Sequence, residues 1–515
     1  MSVAAAAKAA SDPAGIALVD DSTICDWATL DRLLNQGTNR LLAEGLRPGA
    51  RVAVFAHNAF ETALAYLSCL HAGVSSVPVS FHLTAEELGY ILTDSGAEML
   101  FVGPQTAAIG VRAARAAGVG RVVGWNANGV EGVEDWAKWL QAGSAEAPPA
   151  DRPPAPHLHY TSGTTGKPKG TETPPSMFPR VATLDDFFAA MRAAVAAGPQ
   201  LGPALLVGPL YHTGPLGSLR RLAGGKPLVI MPHFDPETTL ALIERWGIDS
   251  AVMVPTHFER LLALPEVTRA RYDVSSLRQV THTGAACRAE TKRAMIDWWG
   301  PVLWEAYGGT EAGTTNMITS PEWLAKPGSV GRTVPTLEPL VIDEDGREAA
   351  PGQAGVLYFR DPTGRGVVYH NDPEKTARAH RAPGVFTLGD IGYVDSDGYV
   401  FITDRVSDLI VSGGVNIYPA EIEQVLIEHP AVEDVAVIGT PNSEMGEEVK
   451  ALVVTKGGAV VESAELARFC REKIAGYKCP RSFDFVASLG RNIMGKVNKR
   501  ELRRPYWPSD RTIGG

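Results

Sequence analysis

A repeated strand–helix–strand rhythm constrains this chain more than any other feature. Residues 28–44 carry apolar side chains at helical spacing and stop at Gly45, and residues 51–55 (RVAVF) form a short apolar run of strand type. Residues 60–71 read as a helix and 75–79 as a strand; 85–95 read as a helix and 99–102 as a strand. Two further rounds follow, helix 236–246 into strand 250–254 and helix 290–299 into strand 302–304. Such alternation predicts an α/β fold with a largely parallel sheet, because parallel neighbours need a crossover connection. From about Gly331 the texture changes to short strands between Gly- and Asp-rich turns, among them Asp345-Gly346 and Asp397-Gly398. These pairs favour hairpins, so residues 357–401 are expected to be antiparallel.

A last unit begins near Asp404. Residues 419–428 open with Pro and carry acidic residues early, as a helix start does. Residues 435–438 and 450–454 read as strands. Residues 463–473 read as a helix capped by Ser463, with Glu465 in its first turn. The order hairpin, helix, strand, strand, helix describes a small α+β domain of roughly 110 residues. No internal repeat is present, and the Pro-rich stretch 146–156 (EAPPADRPPAP) reads as an extended surface linker.

The total of 515 residues suits about three or four structural units. The net charge of −10 argues against a nucleic-acid binder, which normally carries a basic surplus. The five cysteines (Cys25, Cys69, Cys287, Cys470 and Cys479) form no CxxC pair, so free buried thiols in a reducing compartment are expected rather than zinc or disulfides. The N-terminus, Ala-rich with a single Lys, lacks the pattern of a signal peptide. Residues 62–85 contain no Asp, Glu, Lys or Arg, but His71, Gly73, Pro78 and His82 interrupt them. A buried helix followed by a strand fits them better than a membrane span. A cytoplasmic protein is the expectation.

Five segments carry chemistry. Residues 160–170 (YTSGTTGKPKG) hold hydroxyls, glycines and two lysines. Gly163 and Gly166 let backbone N–H groups converge on an anion. Thr161, Ser162, Thr164 and Thr165 add hydroxyl donors, and Lys167 and Lys169 add charge, which together suit a polyphosphate. The spacing is not that of a Walker A loop, and a flexible Gly/Thr linker would have a similar composition. Residues 304–313 (WEAYGGTEAG) offer Tyr307 as a stacking face and Glu311 as a hard oxygen ligand for Mg²⁺; taken alone they also read as a surface turn. Asp390 in TLGD, a pure acceptor when ionised, could take two ribose hydroxyls or simply close a turn. Residues 404–423 hold Arg405, a permanently charged donor fork, and Gly413-Gly414, which permit close backbone approach or a hairpin turn. Residues 492–500 (NIMGKVNKR) place Lys496 after a Gly in a stretch that also reads as a solvated basic tail.

In this order the segments resemble the adenylate-forming superfamily of acyl-CoA synthetases, adenylation domains and luciferases. The likeness runs from about Asp26 to Arg503 and includes LHAGVSSVP at 70–78, PLYH at 209–212 and GAA at 284–286. It implies a large N-terminal domain (1–404) of stacked parallel-type sheets with a β-barrel-like subdomain. It also implies a small mobile α+β C-terminal domain (405–515). The implied activity is coupling of a carboxylic acid to ATP, with release of pyrophosphate, and transfer of the acyl group to coenzyme A. Residues 161–170 would wrap the β- and γ-phosphates, Gly166 and Lys167 among them. Gly284, Ala285 and Ala286, with Glu305, Ala306, Tyr307, Gly308 and Thr310, would form the nucleotide slot. Asp390 and Arg405 would hold the ribose, Glu311 and Thr161 would face Mg²⁺, and Lys496 would bridge the carboxylate and the α-phosphate. His212, Gly284 and Gly309 would border the acid. The small domain would rotate about 405–408 so that Gly413 and Gly414 flank the pantetheine path.

Against the family pattern, Ser407 replaces the usual Asp or Lys of the hinge. Gly490 stands where Pro is usual, Met494 replaces a common Thr, and the stretch after Gly170 lacks the usual apolar-then-His pattern. No Arg or Lys is evidently placed for a second carboxylate, so an apolar fatty or bulky ring monocarboxylic acid is expected. The run IVSGGVNIYPAEIE is similar to the CoA-ligase branch; loading of an acyl carrier protein, or a non-catalytic nucleotide sensor, are the other readings. Small molecules rather than nucleic acid are the expected partners. A homodimer stays open.

Overall fold

The computed structural model describes residues 4–161, 168–174, 177–179, 181–199, 201–405, 408–412, 415–442, 445–457, 459–474, 476–492 and 495–507. The expected alternation folds into two parallel sheets with helices between them. In the first, Ser75–Pro78, Arg51–Phe55, Ala97–Val102, Arg121–Gly124 and Glu134–Asp135 lie side by side and all run parallel. The helices Phe60–His71 and Ala85–Ser95 serve as its crossovers. The charge-free stretch at 62–85 therefore is a buried helix leading into a buried strand at the edge of this sheet. No helix of the described residues is long and apolar enough to cross a membrane.

The second sheet changes character along its width. Ile16–Val19, Leu228–Ile230, Ala204–Leu206, Ser250–Met253, Gln279–His282 and Leu303–Gly309 are mutually parallel neighbours. At Leu303–Gly309 the direction reverses: Gly313–Thr319, Ser329–Thr333, Tyr399–Arg405, Val385–Val394, Gly355–Arg360 and Glu338–Ile342 continue the sheet antiparallel. The hairpin texture expected after Gly331 is this half. Open α/β sheets bind ligands beyond the C-terminal ends of their parallel strands, where connectivity changes; here that edge is the end of Leu303–Gly309.

Residues 410–485 form a separate small sheet. Val432–Asn442 and Gly446–Thr455 pair along their length, flanked by the hairpin Ile410–Ser412/Val415–Ile417 and by Ser482–Phe485, which runs parallel to Gly446–Thr455. Helices Pro419–Ile427 and Ser463–Arg471 cover an aliphatic core that includes Ile422, Leu426, Val437, Ala451 and Leu466. The expected cap of the second helix is not found. Glu462 occupies the cap position without a side-chain bond, so Ser463 is already inside the first turn, where its hydroxyl cannot reach the backbone N–H groups that a cap serves. All five cysteines are free, and four are buried.

Candidate active site

Two short paired strands flank the segment singled out for phosphate binding. Leu158–Thr161 pairs antiparallel with Lys169–Glu172, and Thr161 stands opposite Lys169. Ser162, Gly163, Thr164, Thr165, Gly166 and Lys167 lie outside the described residues. The returning strand is fixed to the segment 368–370: the Glu172 N–H donates to the Val368 carbonyl at 3.0 Å, and the His370 N–H to the Gly170 carbonyl at 2.8 Å. This docking brings Lys169 to 3.0 Å from Asp372, so Lys169 is already paired with a carboxylate.

The same docking organises the Glu311 end of the site. Tyr369 donates its hydroxyl to Glu311 Oε1 at 3.1 Å, and the Lys375 ammonium lies 3.9 Å from the Tyr369 ring centroid. Burial holds the Lys375 ammonium below its usual range against the opposing pull of Glu311 and Asp372. Tyr369, Asp372 and Lys375 carried no motif in the sequence; only the strand pairing at 168–172 brings them beside Glu311. Among the described residues no group of three His, Cys, Asp or Glu side chains could hold a metal ion by itself. A lone Glu311 carboxylate suits Mg²⁺ that arrives with phosphates and keeps several waters.

Glu305, Ala306 and Tyr307 lie on the strand Leu303–Gly309. Tyr307 donates its hydroxyl to Asp390 Oδ2 at 2.5 Å, which joins the expected base-stacking face to the expected ribose acceptor. Asp390 is buried and faces Arg405 across the Val385–Val394/Tyr399–Arg405 pair. Glu305 has a different setting from its expected one. Its carboxylate accepts from Lys292, only 1% exposed, at 2.6 Å, while His282 Nε2 lies 3.8 Å away. Burial pushes the Glu305 carboxyl up and the Lys292 ammonium down, each opposed by the partner's charge; His282 is held neutral by burial and by Lys292. The Glu305 carboxylate is thus committed to Lys292, and the strand's backbone is what Glu305 has to offer a base. Gly284, Ala285 and Ala286 follow the neighbouring strand Gln279–His282, so both segments of the expected slot sit at the ends of adjacent parallel strands. At Gly309 a Cβ would stand 3.0 Å from Glu311 Oε2 and 3.3 Å from Leu388, which explains a small residue there without requiring a deep floor.

Lys496 reaches the site from the small sheet. A tight loop carries it: the Lys496 N–H donates to Asn492 Oδ1 at 3.0 Å, the Asn492 N–H to the Lys496 carbonyl at 3.0 Å, and the Gly495 N–H to the Asn492 carbonyl at 2.8 Å. Arg491 clamps the loop, holding both Asp434 oxygens at 2.6 and 2.7 Å and the Gly495 carbonyl at 2.7 Å. Gly495 has φ +74, and a Cβ there would lie 2.8 Å from Thr256 Cγ2 on the large unit. Gly490 has φ +62, a value the proline ring cannot adopt; the departure from the family's Pro therefore matches a left-handed turn. Met494, Ser407, Gly413 and Gly414 lie outside the described residues.

Burial, then the charges of Lys496 and His82, bring the His212 imidazole down to about 4, so it is neutral near pH 7. His212 packs beside Tyr211, ring centroids 4.3 Å apart. It precedes the short helix Thr213–Gly217, whose Thr213, Leu216 and Gly217 help line a narrow cleft. Phe178, Phe187, Met177 and Leu216 give that cleft apolar walls. Arg220, which no motif singled out, also lines this cleft. Its position eight residues after His212 carried no signal without the fold.

Among the described residues, polar contacts also run between the two units. Arg288 donates to the Glu433 carbonyl at 3.2 Å and lies 3.8 Å from Asp434, and Asp404 accepts from the Ala420 N–H at 3.1 Å, at the start of helix Pro419–Ile427.

Known proteins resemble this chain over most of its length. Residues 5–367 match the AMP-binding enzyme model, and residues 421–496 match the AMP-binding enzyme C-terminal domain. The chain is 33% identical over 519 residues to a fatty acid–acyl-carrier-protein ligase of Streptomyces coeruleorubidus, covering 96% of this chain and 94% of that protein. It is 33% identical over 508 residues to a feruloyl-CoA synthase of an Amycolatopsis species, covering 97% of each. The ATP-bound MatB structure from Rhodopseudomonas palustris superposes with a TM-score of 0.80 at 29% identity, covering 96% of both chains. With paired family matches over most of its length and relatives of this similarity, the chain belongs to the AMP-binding enzyme family.

Proposed function

We propose that this protein is an AMP-forming acid–thiol ligase that activates a carboxylic acid with ATP and passes the acyl group to coenzyme A. The observation that carries the reading is the placement of Lys496. Its loop belongs to the small sheet, yet Gly495 lies against Thr256 of the large unit and the Lys496 charge contributes to the lowering of His212, which supports a role for this lysine at the large unit's site. There it supplies the positive charge that two mutually repelling anions need in order to meet. The carboxylate oxygen attacks the α-phosphorus and pyrophosphate leaves; the thiol sulfur then attacks the acyl carbon, AMP leaves and the thiol proton is released.

In this reading the hairpin loop 161–168 and Lys375 take the β- and γ-phosphates. Tyr307 faces the base, Asp390 and Arg405 take the ribose, and the slot around Gly284 and Ala306 closes over the adenine. Glu311, oriented by Tyr369, would hold Mg²⁺, which neutralises phosphate charge when bound. The boundary between the two functional units falls after Asp404, with Gly413 and Gly414 bordering the pantetheine path once the small unit turns. The apolar walls beyond His212 favour an acid with a substantial hydrocarbon or ring body. A cytoplasmic location suits substrates of this kind.

The test is Lys496→Ala, assayed with ATP, a panel of acids and coenzyme A. Acid-dependent pyrophosphate release should collapse, while thioester formation from a supplied acyl-adenylate should survive. Retention of both half-reactions would refute the role given to Lys496. Similarity to a carrier-protein ligase supports a second acceptor, and faster acylation of a phosphopantetheinyl carrier than of free coenzyme A would favour it.

A further inference from the structure

Asp94 stands where a carboxylate is locally unfavourable. It lies in the last turn of the helix Ala85–Ser95, which ends at Gly96 in the left-handed region and carries no basic residue in that turn. The C-terminal end of a helix concentrates partial negative charge, so an acid there opposes the helix dipole. The carboxylate is used outside the helix instead. Tyr160 donates its hydroxyl to Asp94 Oδ2 at 2.6 Å. Burial and the adjoining Asp94 carboxylate push the Tyr160 phenol up, so it stays a donor near pH 7. Tyr160 precedes Thr161 in the strand Leu158–Thr161 and stands opposite Gly170 on the returning strand.

The backbone of Asp94 meets the second support of that strand pair. The last carbonyls of a helix lack intrahelical partners, and the Asp94 carbonyl accepts from Asn371 Nδ2 at 3.1 Å. Asn371 has φ +53, and among the described non-glycine residues only Asn126 shares a positive φ. Such backbone persists where its surroundings require it. Here it turns the chain between two residues that hold the returning strand. On one side the His370 N–H donates to the Gly170 carbonyl at 2.8 Å; on the other Asp372 lies 3.0 Å from Lys169. Asp94 therefore joins both strands, by its carboxylate to Tyr160 on the outgoing one and by its carbonyl to the segment that grips the returning one. Thr161 and Lys169, opposite each other at the open end of the pair, are braced from both sides.

We propose that Asp94 is a positioning residue for the polyphosphate end of the site, acting through Tyr160 to hold the strand pair that presents Thr161 and Lys169 to the β- and γ-phosphates of ATP. The groups assigned to the nucleoside, Tyr307 and Asp390, belong to the other sheet and meet each other directly at 2.5 Å. A nucleotide without the two outer phosphates has no use for the Asp94 brace. This inference rests on the ligase reading above and deepens it by dividing ATP recognition between separate supports.

The experiment compares the full chain with its Tyr160→Phe, Asp94→Ala, double and Asp94→Asn variants. Calorimetry with Mg²⁺ and no acid gives the affinities for ATP and AMP, and pyrophosphate release gives KM for ATP and for the acid. Tyr160→Phe and Asp94→Ala should each weaken ATP about 10-fold, through loss of a hydrogen bond to a charged group. AMP affinity and the KM for acid should stay within about twofold. The double variant should be about as weak as either single one, because both remove the same bond. Asp94→Asn keeps an acceptor oxygen and should recover part of the loss. Thioester formation from supplied acyl-adenylate should be unchanged. Equal losses for ATP and AMP, additive losses in the double variant, or unchanged ATP affinity would overturn the proposal. So would failure of Tyr160→Phe to fold, which would make this bond a support of the whole fold. If the variants weaken ATP selectively but no acid elicits pyrophosphate release from the wild type, this inference stands and the ligase reading fails. Acid-dependent pyrophosphate release with ATP affinity indifferent to both single variants would do the reverse.

Discussion

Replacing Lys292 with Met should expose how much the Glu305 strand depends on one buried ion pair. Lys292 is 1% exposed, its Nζ lies 2.6 Å from Glu305 Oε2, and it also stands 4.7 Å from the Trp323 ring centroid. Met fills a similar volume, so packing changes little and the main loss is charge. A carboxylate left alone in such a place costs about 3–5 kcal/mol. At about 2 °C per kcal/mol for a large domain, the melting transition should fall by roughly 6–10 °C. Burial already raises the Glu305 carboxyl, and Lys292 opposes the shift; without Lys292 the folded pKa rises further above the unfolded value. Between those two values the native state binds the extra proton, so the variant should regain stability as pH falls and lose it as pH rises. Melting curves from about pH 5 to 8 follow this directly. Lys292→Met/Glu305→Gln, which removes both charges, should recover most of the loss, with a coupling of at least about 2 kcal/mol. A loss under about 1 kcal/mol, or one independent of pH, would refute the claim that this carboxylate depends on Lys292 for its charge.

Two further outcomes concern the lysine loop. Arg491→Ala removes the hold on Asp434 and the Gly495 carbonyl, so pyrophosphate release should slow about 10-fold or more through misplacement of Lys496, with thioester formation from supplied acyl-adenylate changed little; equal slowing of both steps would contradict this. Gly490→Pro cannot adopt φ +62, so restoring the family's usual residue should lower adenylation rather than raise it, and a pyrophosphate assay on the folded variant decides the sign.

Local patterns in the sequence located the framework well. Helix Phe60–His71 begins and ends where its apolar run does, and Pro236–Trp246 carries Pro at its first turn, an Asp235 cap and Gly247 in the left-handed region behind it. Such signals are written in neighbouring residues. Ser463 misled because a cap-forming residue type does not say which backbone position it occupies. The hairpin at 158–172 escaped the strand reading, since its two strands are short and the loop's glycines dominate the composition. The motif residues Glu311, Tyr307, Asp390 and Lys496 were legible because each sits in a compact run. Residues beside these segments were not: Lys292 next to Glu305, and Tyr369 and Lys375 next to Glu311, come there through pairings between segments distant in sequence, and nothing local distinguishes them from other Lys or Tyr residues.

Asp434 links two arginines of unequal grip. Arg491, on its own sheet, takes both oxygens within 2.7 Å, whereas Arg288 on the large unit stands 3.8 Å away with nearly half its side chain in water. Dissolved ions weaken the outer contact far more readily than the inner one. If the small unit turns away, the seam therefore parts at Arg288, and Lys496 leaves with its loop, its clamp and its anchor still assembled. The chemistry of the first step would be withdrawn as a finished cartridge and returned the same way, with no refolding of the loop between turnovers.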